Sequence, residues 1–173
     1  KTKKVNSNKI IKNITKKIKD KKFLVVDGGG TALYAGFQSS IVKKNDRIIC
    51  SSAISAMGTG LAESIGVGKS KKFKSLICII GDGSFLMNCQ DLETIRQNHF
   101  NIIIIVVNNN GYLAIRHTQK EFLNKRYFGT SPEGNLTLPS IKNLAKAFKI
   151  KYFKLNNIKK EKNILNKLIN LKG

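Results

Sequence analysis

Two unbroken apolar runs dominate the pattern of hydrophobic and polar positions: Leu76-Ile77-Cys78-Ile79-Ile80 and Ile102-Ile103-Ile104-Ile105-Val106-Val107. Both have strand length and are rich in β-branched residues, which predicts buried strands. Between them Leu86, Cys89, Leu92 and Ile95 recur at helical spacing, predicting a helix over about 85–98 with Ser84 as its cap. Shorter versions of this alternation flank the centre. Phe23–Asp27 reads as a strand, Gly28-Gly29-Gly30-Thr31 as a turn and 32–42 as a helix. Arg47–Ser51 reads as a strand, and 52–60 opens a helix of small residues that runs to Ile65. Near the start, Ile10, Ile11, Ile14 and Ile18 share one helical face within a lysine-rich stretch, which predicts a surface helix packed on the sheet. After a charged turn at 69–74 and the second long run, 127–139 is rich in turn formers. A helix over 143–150, a strand over 151–155 and a terminal helix over about 160–171 complete the reading.

Strand–turn–helix units with glycine at the strand ends predict a three-layer, doubly wound α/β fold with a mainly parallel sheet. With right-handed crossovers, the glycine turns gather at the carboxyl ends of the strands, where open α/β sheets bind ligands. The 173 residues suffice for one domain with a real core, and neither a repeat nor an internal boundary is visible, so 1–173 is read as a single domain. The chain begins with Lys1 and ends at Leu171-Lys172-Gly173, and is expected to be a piece of a longer polypeptide or one subunit of a split enzyme.

Composition changes this picture little. Lys and Arg number 32 against 10 Asp and Glu, a net charge of +22, which raises a nucleic-acid reading. The lysines, however, are spread over both ends and most loops alongside abundant Asn and Ile. No arginine-rich block, zinc spacing or aromatic RNA-binding motif accompanies them. The charge favours anionic substrates or an acidic partner instead. Cys50, Cys78 and Cys89 form no CxxC pair and read as reduced, buried thiols of a cytoplasmic protein. No apolar run is long enough to cross a membrane, and no signal peptide is visible.

The candidate chemistry sits at the ends of the two long runs. The first ends in Gly81-Asp82-Gly83-Ser84 and the second in Asn108-Asn109-Asn110-Gly111-Tyr112. A carboxylate from Asp82 and an amide oxygen from Asn109 are hard ligands suited to Mg²⁺ or Ca²⁺, completed by phosphate and water oxygens. The N–H groups of Gly83 and Ser84 open a helix and favour an anion.

Gly81-Asp82-Gly83, twenty-four residues, then Asn108-Asn109 resembles the signature of thiamine-diphosphate-dependent enzymes. The wider wording, GDGSFLMNCQDLETI and VNNNGYLAIRHTQ, is similar to the acetolactate-synthase-like branch. The resemblance covers the chain from about Asn6 onward and corresponds to the diphosphate-binding domain of the thiamine diphosphate-binding fold. It implies thiamine diphosphate and Mg²⁺ as cofactors, with the metal held by Asp82, Asn109 and the backbone carbonyl of Gly111. It implies cofactor contacts at Gly30, Thr31, Ala32, Ser55, Met57, Gly81, Asp82, Gly83, Ser84, Asn109, Gly111, Tyr112 and Leu113. Met57 would support the bent cofactor between its rings, and Ser55 would offer a backbone carbonyl to the aminopyrimidine. Family members commonly carry Gln-His where this chain has Thr31-Ala32, so only backbone contacts carry over there. The segment 113–126 resembles a mobile element over the cofactor; its His117 invites a proton-shuttle role but stands where Gln is common.

The resemblance implies a 2-oxo-acid decarboxylase or carboligase, a transferase or lyase, working as a homo-oligomer. Its pyrimidine-binding domain supplies the glutamate that acts on the aminopyrimidine ring. No residue here matches that glutamate, so no catalytic residue is assigned, and the lone chain is expected to be inactive. Which 2-oxo acid it would take is not set by these residues. The alternatives are a non-catalytic thiamine-diphosphate-binding or assembly module and, on charge alone, a nucleic-acid-binding domain.

Overall fold

The β-branched apolar runs form the strands. Leu24–Val26 and Leu76–Ile80 are buried on both faces, whereas Ile102–Val107, expected to be buried, is half-buried along its length. In a computed structural model, which describes residues 5–18, 21–51, 53–70, 72–157 and 160–170, the strands are β1 (Lys22–Val26), β2 (Arg47–Ile49), β3 (Ser75–Gly81) and β4 (Ile102–Val107). All pair in parallel, in the order β2-β1-β3-β4. The chain steps outward from β1 to β2, returns across β1 to β3, and steps outward again to β4. The order therefore reverses between β1 and β3, and in open α/β sheets such a reversal opens a crevice at the strand carboxyl ends.

Alternate residues feed two cores. Leu24, Val26, Ile77 and Ile79 face the helices α1 (Ser7–Lys17), α2 (Gly30–Ser39) and α8 (Glu161–Asn170), meeting Ile11, Ile14, Ala35 and Leu165. Cys78 and Ile80 face α3 (Thr59–Ser70), α4 (Asp82–Met87), α5 (Asp91–Gln97) and α7 (Ile141–Ala147), meeting Leu61, Phe85, Leu92 and Ile95. The sheet is thus the middle of three layers. The isoleucine face of α1 is buried as its periodicity predicts, with Ile10, Ile11, Ile14 and Ile18 all in the core. At the amino-terminal edge the buried Lys22 side chain pairs with Asp46, fastening β1 to the turn before β2.

Several expected boundaries move. The helix expected over 85–98 is two helices, because Asn88 leaves helical geometry (φ −134°, ψ 35°) and spends its side-chain amide on the Gly58 carbonyl at 2.8 Å. Asp91 and Glu93 then restart the helix with acidic residues in its first turn. Ser84 is not the cap: α4 begins at Asp82 behind Gly81, and Ser84 lies buried inside it. The helix after the small-residue turn begins at Thr59, and α7 begins at Ile141, where Ser140 accepts the Asn143 N–H. Residues 151–155 run without ladder partners, contrary to the expected strand. A cavity of about 960 Å³ separates them from β4, the nearest sheet edge, and is walled by Ile102–Val107 on one side and Lys151–Leu155 on the other. The expected end of the last helix at Leu171 lies outside the described residues.

Candidate functional site

Two aspartates mark the crevice. Asp27 follows β1 and Asp82 follows β3, and both are buried. Each organises a neighbouring loop by accepting backbone N–H groups. Asp27 Oδ1 accepts from Gly58 (3.0 Å) and Gly60 (3.1 Å), while its Oδ2 accepts from Gly29 (3.3 Å). Asp82 Oδ2 accepts from Asn109 (3.1 Å) and Gly111 (3.0 Å), and its Oδ1 from Gly83 (3.0 Å). A buried carboxylate is tolerated only where such bonds replace its water. Asp27 was legible only as a strand end. Its role needs the glycine-rich segment 58–60 brought back over β1, which no local spacing reveals.

The sequence-predicted residues converge in part. Met57 packs on the first glycine turn so closely that a Cβ on Gly29 would meet its Cγ at 2.3 Å. Ser55 lies in the same loop, in the left-handed region (φ 52°). Thr31 Oγ1 accepts the Asn109 side-chain amide at 3.3 Å, joining the first turn to the end of β4. Tyr112 lies over Gly83: an added Cβ there would meet the ring at 2.3 Å. Gly111 adopts φ 123°, and a Cβ on it would strike the Thr130 carbonyl oxygen at 2.4 Å, so glycine is required twice over. Leu113 opens α6 (Leu113–Phe122) and borders the large cavity beside Thr31 and Asn109. Ala32 is apart from the others, its side chain buried in the core under α2. The Gly83 N–H, expected to face an anion, is engaged by Asp82 instead. His117 is exposed on α6, and His99 is exposed in the turn after α5.

Among the described residues, the buried Asn109 Oδ1 has no hydrogen-bond partner. An orphaned oxygen of this kind carries a desolvation cost unless something electropositive reaches it. Among the described residues no group of three or more His, Cys, Asp or Glu side chains could hold a metal. Any cation here would therefore rely on amide, backbone, phosphate and water oxygens beside one carboxylate, a set suited to a hard ion. The large cavity includes Thr31, Asn109 and Leu113 in its lining but extends along the whole free flank of β4, where Ile102–Val107 wall it. A second cavity of about 280 Å³ adjoins Asp82, Asn108 and Asn110 directly.

The segments around this edge carry exposed apolar side chains: Ile54 is 84% exposed and Phe122 and Phe128 are each 80% exposed. Thiol chemistry plays no visible part. Burial, then the charges of Glu63 and Asp27, raise the Cys50 thiol; burial pushes Cys78 up to about 12. All three cysteines are free. Among the described residues no helix is long and apolar enough to cross a membrane.

The family model for the C-terminal TPP binding domain of thiamine pyrophosphate enzymes matches residues 13–173. The acetolactate synthase large subunit of Porphyra purpurea is 37% identical over 115 residues, covering 66% of this chain and 19% of that protein. The acetolactate synthase large subunit of Pyropia yezoensis is 32% identical over 152 residues, covering 87% of this chain and 25% of that protein. The acetolactate synthase isozyme 2 large subunit of Escherichia coli is 33% identical over 105 residues, covering 61% of this chain and 19% of that protein. The chain thus spans a quarter or less of the length of these three relatives. By its parallel sheet, its strand-end aspartates and this match, the chain belongs to the thiamine pyrophosphate enzymes, as an acetolactate-synthase-like C-terminal TPP binding domain.

Proposed function

We propose that this chain is the diphosphate- and Mg²⁺-binding part of a 2-oxo-acid decarboxylase or carboligase resembling acetolactate synthase, a single domain over 1–173. Thiamine diphosphate with Mg²⁺ is the usual cofactor pair of its family. One observation carries the site: the buried, unpartnered Asn109 Oδ1, on a loop that Asp82 fastens through two backbone bonds. Asp82, Asn109 and the Gly111 carbonyl would hold the metal. The glycine turn at 28–31, the loop at Ser55–Met57, Gly81–Ser84 and Tyr112–Leu113 would contact the cofactor. When bound, thiamine diphosphate supplies an electron sink for the carbanion left by decarboxylation. In this reading the chain's own residues hold and orient, and no catalytic proton transfer is assigned to them. Asp27 and Asp82 each already accept three backbone N–H groups, and Glu63 sits half-buried on α3.

A pyrimidine-binding domain, from the same or another chain of a cytoplasmic homo-oligomer, would supply the missing glutamate. The exposed Ile54, Phe122 and Phe128 give it apolar surface to cover. No observation favours a non-catalytic module or a nucleic-acid-binding domain over this reading. The test is loss of the thiazolium C2–H NMR signal in D₂O. The lone chain with saturating cofactor and Mg²⁺ is expected to exchange no faster than free cofactor, and a pyrimidine-binding domain added in trans to accelerate it. Fast exchange in the lone chain would place the acid here and overturn the division of labour.

A further inference from the structure

We propose that Arg116 is a positioning residue for the cation loop, acting through the backbone of Asn109; the inference rests on the metal site proposed above. Arg116 lies in the first turn of α6, and its Nη2 donates to the Asn109 carbonyl at 2.8 Å. That carbonyl joins Asn109, whose Oδ1 is the orphaned oxygen, to a left-handed pair, Asn110 (φ 60°) and Gly111 (φ 123°). A positive φ is disfavoured for a residue with a side chain such as Asn110, so this backbone persists only where its surroundings hold it. The fold restrains it from outside on three sides. Asp82 takes the N–H groups of Asn109 and Gly111, Thr130 O accepts the Tyr112 N–H at 3.0 Å, and Arg116 takes the Asn109 carbonyl.

Gln119 completes the restraint from the same helix. It is spaced three residues from Arg116, so both reach one face of α6. Gln119 Nε2 donates to the Phe128 carbonyl at 3.0 Å, and its Oε1 accepts the Thr130 hydroxyl at 2.6 Å. Thr130 in turn holds Tyr112. The α6 face therefore grips the cation loop at both ends.

A neutral donor could satisfy one carbonyl without bringing positive charge towards a cation site. A guanidinium makes a charge-assisted bond roughly twice as strong as a neutral one. Among the described residues its Nε is buried without a partner, a desolvation cost set against the bond to Asn109. Rigid placement of the loop is the function that uses such a bond. Groups that orient ligands from behind typically contribute about 10- to 100-fold in metal affinity. Mg²⁺ demands near-ideal octahedral geometry, whereas Ca²⁺ accepts a loose one. Loosening the loop should therefore harm Mg²⁺ more than Ca²⁺, a difference that general destabilisation would not produce.

The experiment is calorimetric titration of thiamine diphosphate, with Mg²⁺ and separately with Ca²⁺, into the enzyme assembled with its pyrimidine-binding domain. Arg116→Met is expected to weaken Mg²⁺-supported binding about 10-fold, to change Ca²⁺-supported binding less, and to be partly rescued by Arg116→Lys. Equal weakening with both cations, or wild-type binding in Arg116→Met, overturns the proposal. If Arg116→Met fails to fold, the Mg²⁺-to-Ca²⁺ ratio of Arg116→Lys decides in the same way: a lowered ratio supports the proposal, an unchanged one overturns it. Absence of cofactor binding in the wild type with either cation would instead overturn the proposed site itself.

Discussion

The Asn109 side-chain amide donates to the Thr31 hydroxyl at 3.3 Å, reaching from the end of β4 to the start of α2 across the end of β3. With the amide nitrogen so committed, the Asn109 Oδ1 is the atom left unpartnered. Thr31→Val removes the acceptor while keeping the shape. The loss of one neutral hydrogen bond should cost about 0.5–1.5 kcal/mol in stability. Mg²⁺-supported cofactor binding should weaken roughly 10-fold as the amide loses its orientation. Parallel thermal melts and titrations check this; unchanged affinity would mean that Asn109 is oriented by something else.

Asp27 is expected to matter for stability more than its place at a strand end implies. Asp27→Ala would orphan the buried N–H groups of Gly58 and Gly60, each at a cost of about 1–3 kcal/mol. Asp27→Asn keeps an oxygen acceptor and should cost less. Urea denaturation of both variants measures the difference. The loops carrying Met57 and Gly29 should also lose hydrogen-exchange protection in Asp27→Ala before the sheet does.

A pH dependence comes from the opposite end of the sheet. Burial works against ionisation of Asp46. The hydrogen bond from the Lys22 side chain, the N–H groups of Lys22 and Lys43 and the Lys22 charge outweigh it, and hold the carboxyl below its ordinary value. A carboxyl depressed in the folded state stabilises above its unfolded pKa, and that stability disappears as pH falls through the folded one. Asp46→Ala leaves the buried Lys22 unpaired and should cost about 3–5 kcal/mol near neutral pH. The gap from wild type should narrow steadily as the pH is taken below the ordinary Asp value of about 3.9. A gap independent of pH would assign the stability to packing.

Much of the fold was legible because unbroken β-branched runs and glycine-ended strands have few other structural solutions. β4 matches its predicted bounds, and β3 differs from its run by one residue at each end. The isoleucines of α1 fall where their spacing puts them. Illegible features depend on partners distant in sequence. Asn88 breaks its helix for a carbonyl thirty residues away, and 151–155 has strand composition but no edge within reach. At the site, Asp82 and Asn109 were identified by motif, whereas Asp27, Arg116 and Gln119 carry no local signature. Each acts on backbone that only the folded chain brings near.

The proposed function stands on Asp82 and its loop binding the cation of a diphosphate cofactor. Its most direct test is a calorimetric titration of thiamine diphosphate into the assembled enzyme, with and without Mg²⁺, comparing wild type with Asp82→Asn, the fold of each verified by circular dichroism. The substitution keeps an oxygen for the loop N–H groups but removes the charge. Mg²⁺-dependent binding in the wild type and its loss in folded Asp82→Asn is the predicted result. Cofactor affinity that is unchanged in the variant, or indifferent to Mg²⁺ in the wild type, would contradict it.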